Sequence, residues 1–358
     1  MEKYPPFIYE PVKSMEVLEK TELFFKNHSN TKQRIENSGW IYQSIGKVIP
    51  QTAENLFSGH FFPYVESWDE LQISFNLAIF GFYKQAFMSL RSVLELGMLS
   101  VYYNINDDGH KTVQDWLKSK DAWEANTPRV DKIWKILRSN KNIMSFDEKF
   151  GLRKSFNDLS VLHNYVHTKG YEFSNKLGLP KSNCQTFEED VLEKWINTYE
   201  RVIILVITLH MLKYPISVIE FEWSEKIGID NPFPVLESFE IKEIETFLPR
   251  EYFEEIKKIA DNDQGTQDFC KYIRELPDMT EEEQEFQIIK FDKSRIEHGE
   301  GFEKWEKQEI KLIERCSDGM KKKILDRIEI LRKWAIENNM MKSKVERLGG
   351  QGFFKNNK

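Results

Sequence analysis

Little in this chain interrupts a helix. Its 358 residues include 12 prolines and 17 glycines, which favours long regular elements over the turn-dense pattern of a β sandwich or barrel. The three cysteines, Cys184, Cys270 and Cys316, are scattered with no CxxC pair, which excludes a disulfide framework or zinc knuckle and points to a reducing compartment. The opening MEKYPPFIYEPVKSMEV lacks the basic start and apolar run of a signal peptide, so a cytoplasmic location is the expectation. The most apolar stretch, Val202 to Leu212, meets Lys213 and Pro215 well before the roughly 20 residues a membrane span needs. It reads as a buried core helix.

The chain is rich in material for a core, with 26 Phe, 13 Tyr and 9 Trp, 40% hydrophobic residues and 30% charged ones. That composition folds, and the length suffices for two domains. The net charge of −7 is uneven: from Lys321 to Lys358 eleven Lys or Arg face four Asp or Glu, a balance of +7 that leaves −14 on the remainder. The tail can meet an anion. At helical spacing Asp326, Glu329, Glu337 and Glu346 dilute it into an ordinary solvated face.

Helix starts are written as capping boxes, in which a hydroxyl and a carboxylate three residues apart each satisfy a free backbone N–H. Ser67–Glu70, Ser145–Glu148, Thr186–Glu189 and Thr280–Glu283 all fit. The fold class expected is all-α, a long-helix bundle with a second, smaller helical C-terminal region. One long helix, or two collinear ones, is predicted from Ser67 to about Asn104, because Leu77, Phe80, Phe87, Leu90, Leu94 and Met98 recur at helical steps. Short helices are predicted over 112–120 and 129–140, one from Ser145 to near Gly170, and a long one from Thr186 to the Lys213–Pro215 break. A Pro- and Gly-bearing stretch at 222–238 marks a boundary. The organisation is then 1–66, outer helices; 67–222, central bundle; and 223–358, a helical C-terminal domain with a basic tail, in which a helix pair breaks near CSDGM (316–320).

Motifs for nucleotide and acyl chemistry are missing: there is no GxxxxGK[ST], no GxGxxG between strand and helix, and no GxSxG. What remains is DLSVLHNYVHTKG, 158–170, where His163 and His167 lie four apart with Asn164 between them. Two histidines at that spacing share a helix face, as in HExxH zinc sites, but Asn164 stands where the general base would be. Glu95 or Asp158 is the nearest source of a third ligand, and no metal or cofactor is expected.

The second feature is Arg91 and Glu95, alone as ionisable residues in the apolar run FMSLRSVLELGML, 87–99. A buried guanidinium needs a partner. Either Glu95 is that partner, fixing bundle register, or Arg91 faces a cleft shared with His167, a pairing suited to a phosphodiester: forked donors for its oxygens and an imidazole for its proton. His163 reads as a solvated histidine, and a core histidine bonded to Glu95 accounts equally well for His167.

Leu90-Arg91 and Leu94-Glu95 on a long helix, followed by LSxxxxxVH over 159–167, resemble the all-α HEPN-type domains of bacterial toxins and anti-phage, abortive-infection proteins. The likeness spans Ser67 to about Pro215. It implies a dimerising helical bundle acting as a metal-independent endoribonuclease on RNA. The family signature runs Arg, polar residue, then His; Val166 and His167 match its end, Asn164 lies one position off the polar residue, and Leu162 occupies the place of the Arg. The resemblance therefore assigns the phosphate contact to Arg91, with His167 as acid–base group and Asn164 or His163 orienting, or else describes a domain without RNase activity. Two other expectations stand beside it. One is a non-enzymatic scaffold or regulatory subunit that binds a partner protein; the other is a nucleic-acid-binding accessory protein that uses 321–358.

Overall fold

The computed structural model describes residues 11–49, 61–105, 127–167, 169–170, 185–220, 224–228, 235–299, 301–313, 318–343 and 346–347, with isolated positions between them. These residues form helices joined by turns, with no strand among them. Most of the expected helix over 112–120 and most of the loop from 171 to Cys184 lie outside the described residues. Contacts divide the chain into two units: residues 1–221 with 233–270, and residues 222–232 with 271–358.

The first unit is built on α1 (Pro11–Asn27), α2 (Ser29–Ile45), α3 (Phe62–Ile79) and α4 (Tyr83–Ile105). The predicted helix over 67–104, or pair of collinear helices, is instead a hairpin, since α3 and α4 pack along their lengths. Gly81 makes the turn, at φ 77°, and a Cβ there would come within 2.6 Å of the Thr186 carbonyl. Both conditions require glycine. Helical periodicity hid the reversal because both arms turn apolar faces to one core.

After α5 (Val130–Leu137), the predicted helix over 145–170 is three short ones: α6 (Lys141–Phe150), α7 (Leu152–Leu159) and α8 (Leu162–His167). Asn140 begins the run, its side chain accepting from the amides of Asn142 and Ile143 at 3.0 and 3.2 Å. Ser145 therefore lies inside α6. The α6–α7 break falls at Gly151, in the left-handed region. There Asp147, buried, takes the Arg153 amide at 2.7 Å and the Arg138 guanidinium at 2.6 Å.

The core helix is α9 (Glu189–Lys213), with Glu189 and Asp190 in its first turn and Lys213 in its last, as the helix dipole favours. Its apolar run is buried, and Pro215 ends it. Ser74 pins the centre, donating to the Ala86 carbonyl at 2.8 Å and accepting from Trp195 Nε1 at 3.1 Å. That joins α3, α4 and α9 through one hydroxyl. Read from sequence as an outer helix, α2 buries Ile41, Tyr42 and Ile45 in the same core. Tyr42 stacks on Tyr64, ring centres 4.9 Å apart, and bonds Ser67 at 2.7 Å. Ser67 is thus a buried core hydroxyl inside α3, and Thr186 precedes a helix whose cap position is Glu188. A 3-10 turn (Pro215–Val218), then α10 (Ser224–Ile227) of the second unit, precede α11 (Ser238–Phe247) and α12 (Arg250–Asn262), which complete the first core with Ile244, Phe253 and Ile256.

The second unit follows α13 (Gln264–Glu275), which crosses the division at Cys270. It comprises α14 (Glu281–His298), α15 (Phe302–Ile313) and α16 (Asp318–Glu337) around Ile296, Phe302, Trp305, Ile328 and Leu331. Here the Thr280–Glu283 box forms as written. Inside, Asp292 accepts from Trp305 Nε1 at 3.1 Å, while Arg327 lies 3.1 Å from Asp292 and 2.9 Å from Glu309.

Candidate functional site

The chain's chemistry-bearing residues meet where α8 lies on α4. Leu162 and Tyr165, three apart, face inward; both are buried, and Tyr165 stacks on Phe87 with ring centres 4.7 Å apart. Because those two positions anchor α8, His163 is turned toward the rim. The place of the motif arginine is a packing position, since Leu162 is 1% exposed.

On α4, Arg91 Nη2 donates to Glu95 Oε1 at 2.9 Å. The same carboxylate oxygen lies 3.9 Å from His163 Nδ1. Glu95 is thus shared between a cation on its own helix and an imidazole about seventy residues on. All three side chains are part-exposed, at 23%, 36% and 30% for Arg91, Glu95 and His163. Water reaches the cluster, and Arg91 Nε points into a buried spot with no hydrogen-bond partner.

The His163 pKa lies below its ordinary value. Burial is the larger cause; the Arg91 guanidinium adds to it, Glu95 opposes it, and His167 and Lys169 push the same way as Arg91. His163 is therefore neutral at neutral pH, and both His167 and Lys169 lie within electrostatic reach of it.

His167 ends α8 and is exposed, and Asn164 is half-buried, its carbonyl accepting the Lys169 amide at 3.2 Å. The carboxylate contact considered for His167 in the sequence is made by His163. No local pattern announced this, because it depends on where the Ser160 break sets α8 against α4. Asp158 faces Arg201 at 3.7 Å. Among the described residues no three His, Cys, Asp or Glu converge as a metal-holding group, and no helix is long and apolar enough to cross a membrane.

Chemically, the arrangement offers guanidinium donors for an anion, a neutral imidazole able to take a proton, and a second, solvated imidazole nearby. No family model, curated protein or solved structure matches this chain.

Proposed function

We propose that this chain is a HEPN-like helical effector that cleaves RNA without a metal, in the manner of anti-phage defence proteins, at the Arg91–Glu95–His163 cluster. The observation that carries the reading is the neutral His163 imidazole held beside the Arg91 guanidinium through one shared carboxylate, open to solvent. In this mechanism His163 takes the proton of a ribose 2′-OH as its oxygen attacks the adjacent phosphorus. The P–O5′ bond breaks, a 2′,3′-cyclic phosphate forms, and His167 gives the leaving O5′ its proton. Arg91 steadies the phosphoryl oxygens through donors that Glu95 leaves unused, Asn164 orients the backbone of α8, and Lys169 adds positive potential. An RNA substrate goes with a cytoplasmic chain, and a second copy of the chain supplies the paired site of such dimers.

The test is incubation of the purified full chain with mixed RNA, with and without EDTA. Cleavage should survive chelation and fall by about 10²–10⁴ in His163→Ala and in Arg91→Ala, the range of a lost acid–base or electrostatic group. No cleavage by the parent chain sinks the nuclease reading, and undiminished cleavage by a folded Arg91→Ala, His163→Ala, His167→Ala triple variant sinks its assignment to this cluster. A second reading, a scaffold without catalysis, draws support from the Arg91–Glu95 pair, which is complete without any ligand. It requires that the triple variant keep full biological activity.

A further inference from the structure

Outside that cluster the first unit carries a half-open cavity of about 630 Å³ between the C-terminal end of α2 and the first turns of α11. Its walls include Trp40, Phe61 and Phe239, and its polar rim Lys47, Glu240 and Glu243. Trp40 is 71% exposed and Phe239 68%. Two large rings thus border one concavity while exposed to water, and exposed apolar surface beside a cavity is where ligands bind.

Charge decides what fits. Glu240 is satisfied: its Oε1 accepts from Ser44 at 2.7 Å and from Lys47 at 2.6 Å, and its Oε2 accepts from the Glu237 amide at 3.0 Å. Burial pushes the Glu240 carboxyl up, but these bonds outweigh it and hold the pKa below its ordinary value. Lys47 is therefore neutralised, and Glu240, through its capping box, covers the positive end of α11. Glu243, one turn further along α11, has the neutral Asn37 amide as its partner at 2.9 Å. One negative charge is left over. Gln43 and Ser44, also on the wall, bring the negative end of α2 to the same place.

Aromatic faces beside an uncompensated carboxylate are the recognition chemistry of organic cations, whose charge is attracted by the ring quadrupole and whose alkyl groups are desolvated by it. The volume suits a small molecule and not a helix or an extended peptide. We propose that this cavity binds a small organic cation, an ammonium group on an apolar body, through the Trp40 and Phe239 rings and the Glu243 carboxylate. An anion meets Glu243 unfavourably, and a neutral hydrocarbon leaves its charge unanswered. This site is independent of the RNA-cleavage reading and stands or falls separately.

The probes are choline and 3,3-dimethylbutan-1-ol, its uncharged isostere, titrated into the full chain labelled with 5-fluorotryptophan, with affinities from calorimetry. Choline should shift the Trp40 resonance saturably and bind at least about tenfold more tightly than the alcohol. Glu243→Gln should weaken choline by about five- to tenfold and leave the alcohol unmoved, and Trp40→Ala should remove both. Because Trp40 is exposed and Glu243 bonds only an exposed amide, both variants fold, which unchanged helical circular dichroism checks. Equal binding of the two probes, an unchanged choline affinity in Glu243→Gln, or no saturable shift at Trp40 overturns the proposal.

Discussion

Nδ1 of His163 lies 3.9 Å from Oε1 of Glu95, the oxygen that already accepts from Arg91. A carboxylate shared in this way couples the imidazole's proton affinity to both neighbours. Removing Glu95 takes away the group that raises the His163 pKa, so Glu95→Gln should lower it further, whereas Arg91→Met should raise it. Titration of the His163 Cε1–H resonance reads both. Shifts in the opposite directions, or none, would show that the pair does not act on His163.

The pH dependence of RNA cleavage follows from the same group. Since His163 titrates below its ordinary value of 6.5, the acid limb of kcat/KM should fall below that pH, with His163 neutral and competent above it. Glu95→Gln should carry this limb to lower pH together with the resonance. A limb that stays in place while the His163 titration moves would assign the base to another residue.

Stability in mild acid should be governed by His210. It is wholly buried, Nδ1–H donating to the Val206 carbonyl at 2.8 Å and Nε2 accepting from Ser100 Oγ at 3.2 Å, with burial lowering its pKa from 6.5 to about 4. Below pH 6.5 the unfolded chain takes up a proton that the folded chain refuses. The cost grows as pH falls toward 4 and reaches on the order of 3 kcal/mol; at neutral pH it is absent. Urea midpoints measured between pH 7 and 4.5 should drop for the parent and flatten in His210→Gln.

At Gly97, α4 approaches α9 closely, since a Cβ there would sit 2.6 Å from Val206 Cγ1 and 2.8 Å from Cγ2. Gly97→Ala should therefore destabilise by about 1–3 kcal/mol, despite alanine's better helix propensity. Adding Val206→Ala should recover part of the loss, because the second change empties the volume that the first one fills. Non-additivity of the pair by denaturant unfolding is the measurement; purely additive losses would place the strain elsewhere.

In the second unit, Arg327 serves two buried acids, Asp292 and Glu309. Burial raises the Asp292 pKa while Arg327, the Trp305 N–H and Arg295 work against it. Arg327→Met leaves both carboxylates with the more distant Arg295, 3.6 Å from each. A loss of about 3–5 kcal/mol is expected, and acidification should soften it as the acids become neutral. An Asp292→Asn background that leaves the Arg327→Met penalty unchanged would rule out this explanation.

Local chemistry was legible at two places that neighbouring residues decide. Thr280 and Glu283 form their box because both partners lie within one turn, and Arg91 and Glu95 pair because four residues bring them to one helix face. The same spacing at Ser67, Ser145 and Thr186 names no helix start. A hydroxyl three residues from a carboxylate also occurs inside helices, and Asn140 and Glu188 hold the cap positions instead.

By itself, then, the sequence determined the all-α class, the burial of Val202 to Leu212 and the existence of a charged pair on α4, all properties of periodicity and composition along a few turns. The tertiary structure alone decided that α3 and α4 double back at Gly81, that His163 reaches Glu95, and that Trp40 and Phe239 border one cavity. Each of these depends on the direction in which a helix leaves its turn and on the face it offers a distant neighbour. A helical period is the same whichever way the chain runs, so residue spacing carries no record of either.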